Sequence, residues 1–111
     1  MTADITKSVQ HLAYDFFVNG AFDDVIVSND LSVTVPAVTD PDIGSVTETV
    51  TGAAVGDIVL AAPSEAMETN ARFQNAYVSA TNTVTFVFGS LGGNITGGEK
   101  TFNVIVLSRS A

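Results

Sequence analysis

The sequence predicts an all-β fold: an antiparallel β-sandwich of jelly-roll or immunoglobulin-like type, preceded by an N-terminal arm. Three observations carry this. Apolar and polar residues alternate with a period of two in several short runs. The runs are rich in Val, Ile, Thr and Phe, the residues that suit a pleated surface. Clusters of Gly, Pro, Asn and Asp separate them at short intervals, as in sandwiches and barrels.

The arm comes first. Ile5, Val9, Leu12 and Phe16 fall at helical spacing, Ala13 and Phe17 widen the stripe, and Gly20 is a natural stop. Tyr14, Phe16, Phe17 and Val18 also favour a strand over residues 12–18. Residues 1–20 are therefore an arm, helical or extended. Its apolar stripe either docks on another protein or packs on its own sandwich. Residues 23–28 form a short strand. The division falls at residue 30, with the arm and first short strand in 1–30 and the sandwich domain in 31–111.

Six strands are expected in the second part. Leu31, Val33 and Val35 alternate with Ser32 and Thr34 until Pro36. Val46 and Val50 alternate with Thr47, Thr49 and Thr51. Ile58-Val59-Leu60 starts after Gly56-Asp57 and stops at Pro63. Residues 73–78 form the next strand. Val84, Phe86 and Phe88 alternate with Thr83 and Thr85. Residues 102–107 form the last, apolar on both faces. Between them, Asp40-Pro41-Asp42 with Ile43-Gly44 is a turn region, and Ala80-Thr81-Asn82 is a tight hairpin. Ser64-Glu65-Ala66-Met67-Glu68 is expected to form one helical turn capped by Ser64. Residues 89–98 hold five of the nine glycines and read as a mobile loop tip with positive-φ positions. The expected core is Val33, Val35, Ile58, Leu60, Phe73, Phe86, Phe88, Val104 and Val106.

Composition excludes several functions. The chain has 111 residues, 46% of them apolar, and a net charge of −8. Its mean hydropathy is +0.35. Runs such as Val104-Ile105-Val106-Leu107 fall far short of the roughly 20 residues that span a bilayer, so no membrane partner is expected. Met1-Thr2-Ala3-Asp4 has no signal-peptide character. There is no cysteine, hence no disulfide, thiolate metal site or thiol nucleophile. With 12 acidic residues against Lys7, Arg72, Lys100 and Arg109, nucleic acid is not an expected partner.

Catalytic constellations are missing, and no enzymatic activity, metal or cofactor is expected. His11 is the sole histidine, and Ser8 and Asp15 beside it lie on the same local segment, with no nucleophile elbow or oxyanion loop. Asp40 and Asp42 are the best candidates for a Ca²⁺ turn, with Asp23, Asp24 and Asp30 elsewhere. No calcium-loop pattern surrounds them, and a solvated turn is the better reading. Glu48, Glu65, Glu68 and Glu99 have no spacing that singles out a glycosidase pair. Gly92-Gly93-Asn94-Ile95-Thr96-Gly97-Gly98 lacks the Lys-Ser/Thr ending of a phosphate loop. Phe73, Tyr77, Phe86, Phe88 and Phe102 read as sandwich core, ahead of a ligand platform. High apolarity without chemistry points to work done by surfaces.

Residues 46–107 carry one recurring order of elements. It runs from Thr51-Gly52-Ala53-Ala54-Val55-Gly56-Asp57-Ile58-Val59-Leu60 and Pro63 through Val78-Ser79-Ala80-Thr81-Asn82-Thr83-Val84 to the terminal strand Phe102-Asn103-Val104-Ile105-Val106. This order resembles a domain of tailed-phage virion proteins. The glycine-rich stretch at 92–98 departs from the family's usual glycine-poor connection. The resemblance implies a capsid decoration (cement) protein on the outer surface of a phage head, stabilising contacts between major capsid subunits. The partner would be the major capsid protein, and the chain would act as a homo-oligomer, a dimer or trimer. Ile5, Val9, Leu12, Phe16 and Phe17 are the candidate capsid contacts. The alternative is a head or tail fibre module that reads a host surface through the loop at residues 90–98.

Overall fold

The computed structural model describes residues 22–109 of the chain. Six strands form two three-stranded antiparallel sheets packed face to face, a small β-sandwich. They are β1 (Phe22–Val35), β2 (Ile43–Thr49), β3 (Ile58–Pro63), β4 (Ala71–Ala80), β5 (Thr83–Ser90) and β6 (Gly98–Arg109). One sheet has the order β1-β6-β3, the other β2-β5-β4. β1 lies beside β2 at one side of the sandwich, and β3 beside β4 at the other.

The core forms where the two central strands face each other. Val84, Phe86 and Phe88 of β5 meet Phe102, Val104 and Val106 of β6, all fully buried or nearly so. Phe102 is the hub of an aromatic cluster, with ring centroids 5.1 Å from Phe73, 5.5 Å from Phe86 and 6.0 Å from Phe88. Val33 and Val35 of β1 and Val78 of β4 complete the layer. These positions are inward because apolar residues at i and i+2 share one face of a pleated strand.

β1 is longer than either strand expected in this region. The strands anticipated at 23–28 and 31–35 are one continuous strand. Residue 30 is a bulge within it: Ser28 pairs with Val104 and Leu31 with Phe102, so Asn29 and Asp30 together oppose Asn103. Asp30 takes a positive φ of 55°, a conformation Asp tolerates better than most residues. The extra residue flips the faces. Val25 and Val27 before it point outward, while Val33 and Val35 after it point into the core.

Three other expectations are corrected. Ile58 and Leu60 are not core residues: they are exposed, and Val59 and Ala61 pack inward instead. The run is apolar on both faces, so alternation cannot set its parity. The segment at 64–68 forms no helical turn, and no helix occurs among the described residues. The Ser64 N–H donates to the Thr101 carbonyl, extending the β3–β6 ladder, and its hydroxyl is engaged by Asp30 and Thr101 in place of a following backbone N–H. Tyr77 lies on the outer face of the second sheet, 49% exposed, outside the aromatic core.

The glycine-rich loop is tied down. Ile95 is buried and exchanges both backbone hydrogen bonds with Val38, at 3.0 and 2.8 Å. Asn94 Oδ1 accepts from the Asp40 N–H at 2.8 Å. Gly97, at φ +91°, passes so close to β1 that a Cβ there would sit 2.7 Å from the Val35 carbonyl oxygen. The loop needs glycine for close approach as well as for turning.

Candidate interaction face

The two sheets present unlike outer surfaces. On the β2-β5-β4 sheet, successive cross-strand rows read Ser45, Val87, Asn75; then Thr47, Thr85, Tyr77; then Thr49, Thr83, Ala80. This is a largely polar face, of the kind that alternation in β2 and β5 produces. Thr85, its most buried hydroxyl, is satisfied by Ser79 Oγ at 2.6 Å.

The outer face of the β1-β6-β3 sheet is apolar over half its length. Val25, Leu107 and Ile58 stand in one cross-strand row, and Val27, Ile105 and Leu60 in the next. Val25 is 40% exposed, Val27 59%, Ile58 40% and Leu60 53%. Leu107 is only 6% exposed, yet it does not belong to the core cluster between the sheets. Its neighbours in the row flank it on both sides. The outward position of these side chains has two causes. The bulge turns Val25 and Val27 away from the core. β6 and β3 are apolar at consecutive positions, so each has side chains left over once its inner face is filled.

A polar belt bounds this patch. One row beyond Val27, Ile105 and Leu60, Asn103 Oδ1 accepts from the Asp30 N–H at 3.1 Å. Ser64 Oγ lies 3.1 Å from Asp30 Oδ1 and 2.7 Å from Thr101 Oγ1. Glu65 Oε2 accepts from both the backbone N–H and the hydroxyl of Thr101, at 2.9 and 3.0 Å. The Thr101 backbone N–H is the main cause that holds the Glu65 carboxyl below the ordinary value of 4.5, with Lys100 adding to it. The apolar patch therefore ends sharply.

Three of the four glutamates weighed as catalytic groups, Glu48, Glu65 and Glu68, accept from backbone N–H groups. Glu48 Oε1 accepts from the Thr34 N–H at 3.2 Å, joining the edges of the two sheets. Glu68 accepts from the Thr96 N–H at 2.7 Å and the Gly97 N–H at 3.2 Å. The Thr96 N–H is the first cause of its lowered pKa. Asp42 supplies its carbonyl to the N–H and hydroxyl of Ser90, each at 3.1 Å. Among the described residues, no group of three or more His, Asp or Glu is placed to hold a metal ion. No helix among them is long and apolar enough to cross a membrane.

Ile5, Val9, Leu12, Phe16 and Phe17 lie outside the described residues, as do Ser8, His11 and Asp15. The outer apolar rows were not anticipated from the sequence, although the two-faced apolarity of residues 102–107 was a signal for them. Comparison with protein-family models, with curated proteins and with solved structures finds no match for this chain.

Proposed function

We propose that this chain is a structural virion protein, a capsid decoration protein that binds the outer surface of a tailed-phage head. It stabilises contacts between major capsid subunits, its protein partner, and acts there as a dimer or trimer. It catalyses nothing and needs no cofactor, nucleic acid or membrane. The observation that carries the reading is the bounded apolar face. A sandwich whose core is already complete keeps two cross-strand rows of Val, Ile and Leu on its outside. Together with the resemblance over residues 46–107, this favours a protein that works by adhesion.

The physics suits the role. Shell subunits meet around symmetry points and are pulled apart by the packed genome. A small rigid domain that touches several subunits gains affinity from many weak contacts acting together. The contacts are the arm residues Ile5, Val9, Leu12, Phe16 and Phe17, the apolar outer face and the free strand edges. A net charge of −8 keeps the outward surface from collecting nucleic acid. The fibre alternative is weakened by the loop at 90–98, whose backbone is bonded to Glu68, Val38 and Asn70.

Locating the protein in purified virions tests the reading. Gold-labelled antibody should decorate heads, and separated heads should retain the protein in large copy number. Label confined to the tail or its fibres would transfer the assignment to the alternative. Absence from the particle would overturn both.

A further inference from the structure

We propose that the open edge of β3 is where two copies of this chain pair about a two-fold axis, joining their β1-β6-β3 sheets into one continuous sheet. This pairing rests on the reading above only for the expectation of a homo-oligomer, and it forms off the shell.

The sandwich has four edge strands, β1, β3, β2 and β4, and three of them are guarded. β1 carries Asp24, Asp30 and a bulge, and two of its N–H groups are taken: Val25 by Asp24 Oδ1 at 2.8 Å and Thr34 by Glu48 Oε1 at 3.2 Å. β2 carries Glu48. β4 carries Arg72 and two register shifts. Charges and bulges are the devices that keep strand edges from pairing. β3, Ile58-Val59-Leu60-Ala61-Ala62-Pro63, has no charged residue and an unbroken register, with only Pro63 at its end.

The hydrogen-bond phase of β3 fixes which groups face the open side. The Ser64 N–H donates to the Thr101 carbonyl, so Ser64 and its alternate neighbours Ala62, Leu60 and Ile58 turn their backbone groups to β6. Val59 and Ala61 turn theirs the other way, where no described strand pairs with β3. One two-fold register uses the N–H and C=O of both. Centred on Leu60, it sets Val59 against Ala61 of the second copy and Ala61 against its Val59, each pair exchanging both bonds. Pro63, which has no N–H, then falls opposite Asp57, whose N–H already donates to the Ala54 carbonyl at 3.0 Å. Centred on Val59, the pairing would face the Ala61 carbonyl with that occupied N–H. Centred on Ala61, it would face the Val59 carbonyl with Pro63.

Side chains and charge favour a second copy as the occupant. Leu60 meets its own copy at the axis, in a non-hydrogen-bonded pair with Cα atoms about 4.5 Å apart. The apolar row Val27, Ile105, Leu60 runs on into Leu60, Ile105 and Val27 of the second copy. A chain of net charge −8 meets its copy at the edge strand that has no charge, and Asp57 lies opposite a proline instead of an acid. A six-residue edge about 20 Å long, on a sandwich about 20 Å deep, buries on the order of 800 Å² over both copies. Standard interfaces bury roughly 1,200 Å² or more, so this dimer is weak and reversible.

Sedimentation equilibrium of the full chain, with no capsid present, tests the pairing. The chain should pass from monomer to dimer between about 1 µM and about 1 mM, the range of weak association. Ala61→Pro removes an edge N–H without touching the β6 ladder, and Leu60→Lys sets like charges on the axis; each should weaken dimerisation about tenfold or more. Circular dichroism checks folding, and Leu60→Lys, at a site 53% exposed, decides the matter if Ala61→Pro does not fold. The chain has no cysteine, so Leu60→Cys should oxidise to a covalent dimer faster than Val27→Cys, an exposed site in the same row. A monomer at every concentration overturns the proposal, as does a trimer. So does a dimer that a folded variant leaves at its original strength, or a Leu60→Cys link no faster than the Val27→Cys control. Slow hydrogen exchange at the Val59 and Ala61 amides of a monomer overturns it in favour of another part of the chain as the occupant. Each of these failures leaves the virion location to its own test, and absence from the particle leaves the dimer standing.

Discussion

Replacing Phe102 by alanine strikes the point where the two sheets are joined. The side chain is fully buried, and its ring is within 6.0 Å of three other rings, Phe73, Phe86 and Phe88. Truncating a buried Phe to Ala removes transfer energy and leaves a cavity, together about 3–5 kcal/mol. Each aromatic pair adds about 0.5–1.5 kcal/mol beyond its buried area, without strict additivity. The expected loss is therefore near the upper end, about 5 kcal/mol. A domain of this size has only about 5–15 kcal/mol in total. At roughly 4–8 °C per kcal/mol, the melting temperature should fall by about 20 °C or more. Urea denaturation followed by far-UV circular dichroism measures the loss directly. Phe73→Ala, at a half-buried position, should lose about 1–2 kcal/mol less. A Phe102→Ala loss below about 2 kcal/mol with an unchanged denaturant slope would refute the tightly packed cluster.

Three further outcomes are expected. Glu65 and Glu68 have carboxyl pKa values lowered from 4.5 in the folded state, so their contribution is complete above that value and is lost as pH falls through the lowered ones. Thermal melts from about pH 6 to about pH 2.5 should show this loss, and the E65Q/E68Q double variant should have a flatter profile; matching profiles would dismiss the two carboxylates as its source. Val59→Thr should destabilise by about 1–2 kcal/mol and Leu60→Thr by less than about 1 kcal/mol, because Val59 faces the core and Leu60 faces out; the reverse order in urea denaturation would mean that β3 sits with the opposite parity. Chelator treatment should leave the melting temperature unchanged, and a fall of many degrees restored by Ca²⁺ would point to Asp40 and Asp42 as ligands.

What could be read from the sequence followed the cleanness of the alternation. Thr83-Val84-Thr85-Phe86 has one apolar face, and β5 was placed correctly down to its inward residues. Ile58-Val59-Leu60-Ala61 has two, and its parity was read wrongly. Only the register against β6 sets it, and that is a tertiary fact. The 23–28 and 31–35 runs were legible as strands, but their continuity was not. Val25, Val27, Leu31, Val33 and Val35 share odd numbers, so a plain pattern would put all five on one face. Asn29 and Asp30 change that through a bulge whose local sequence looks like an ordinary turn. Ile95 was hidden among glycines and polar residues. Its partner Val38 is 57 residues away, and no local pattern connects them. The candidate face is hidden for the same reason as the parity of β3: residues 102–107 read as apolar on both sides, but of their four outer neighbours Ile58 and Leu60 read as core, and the short run at 23–28 by itself says nothing of the facing of Val25 and Val27.

The bulge at Asn29 and Asp30 divides the hydrophobicity of β1 between the interior and the outer surface. Upstream of it the strand's odd-numbered side chains serve the outside, and downstream they serve the inside. The allocation depends on one surplus residue and not on the identity of any valine. Deleting Asp30 would leave composition and strand propensity almost intact, yet it would require Val25 and Val27 to trade places with Ile26 and Ser28. The outer apolar patch can therefore be moved or abolished by a single-codon change in length, while the six inward side chains of β5 and β6 remain where they are.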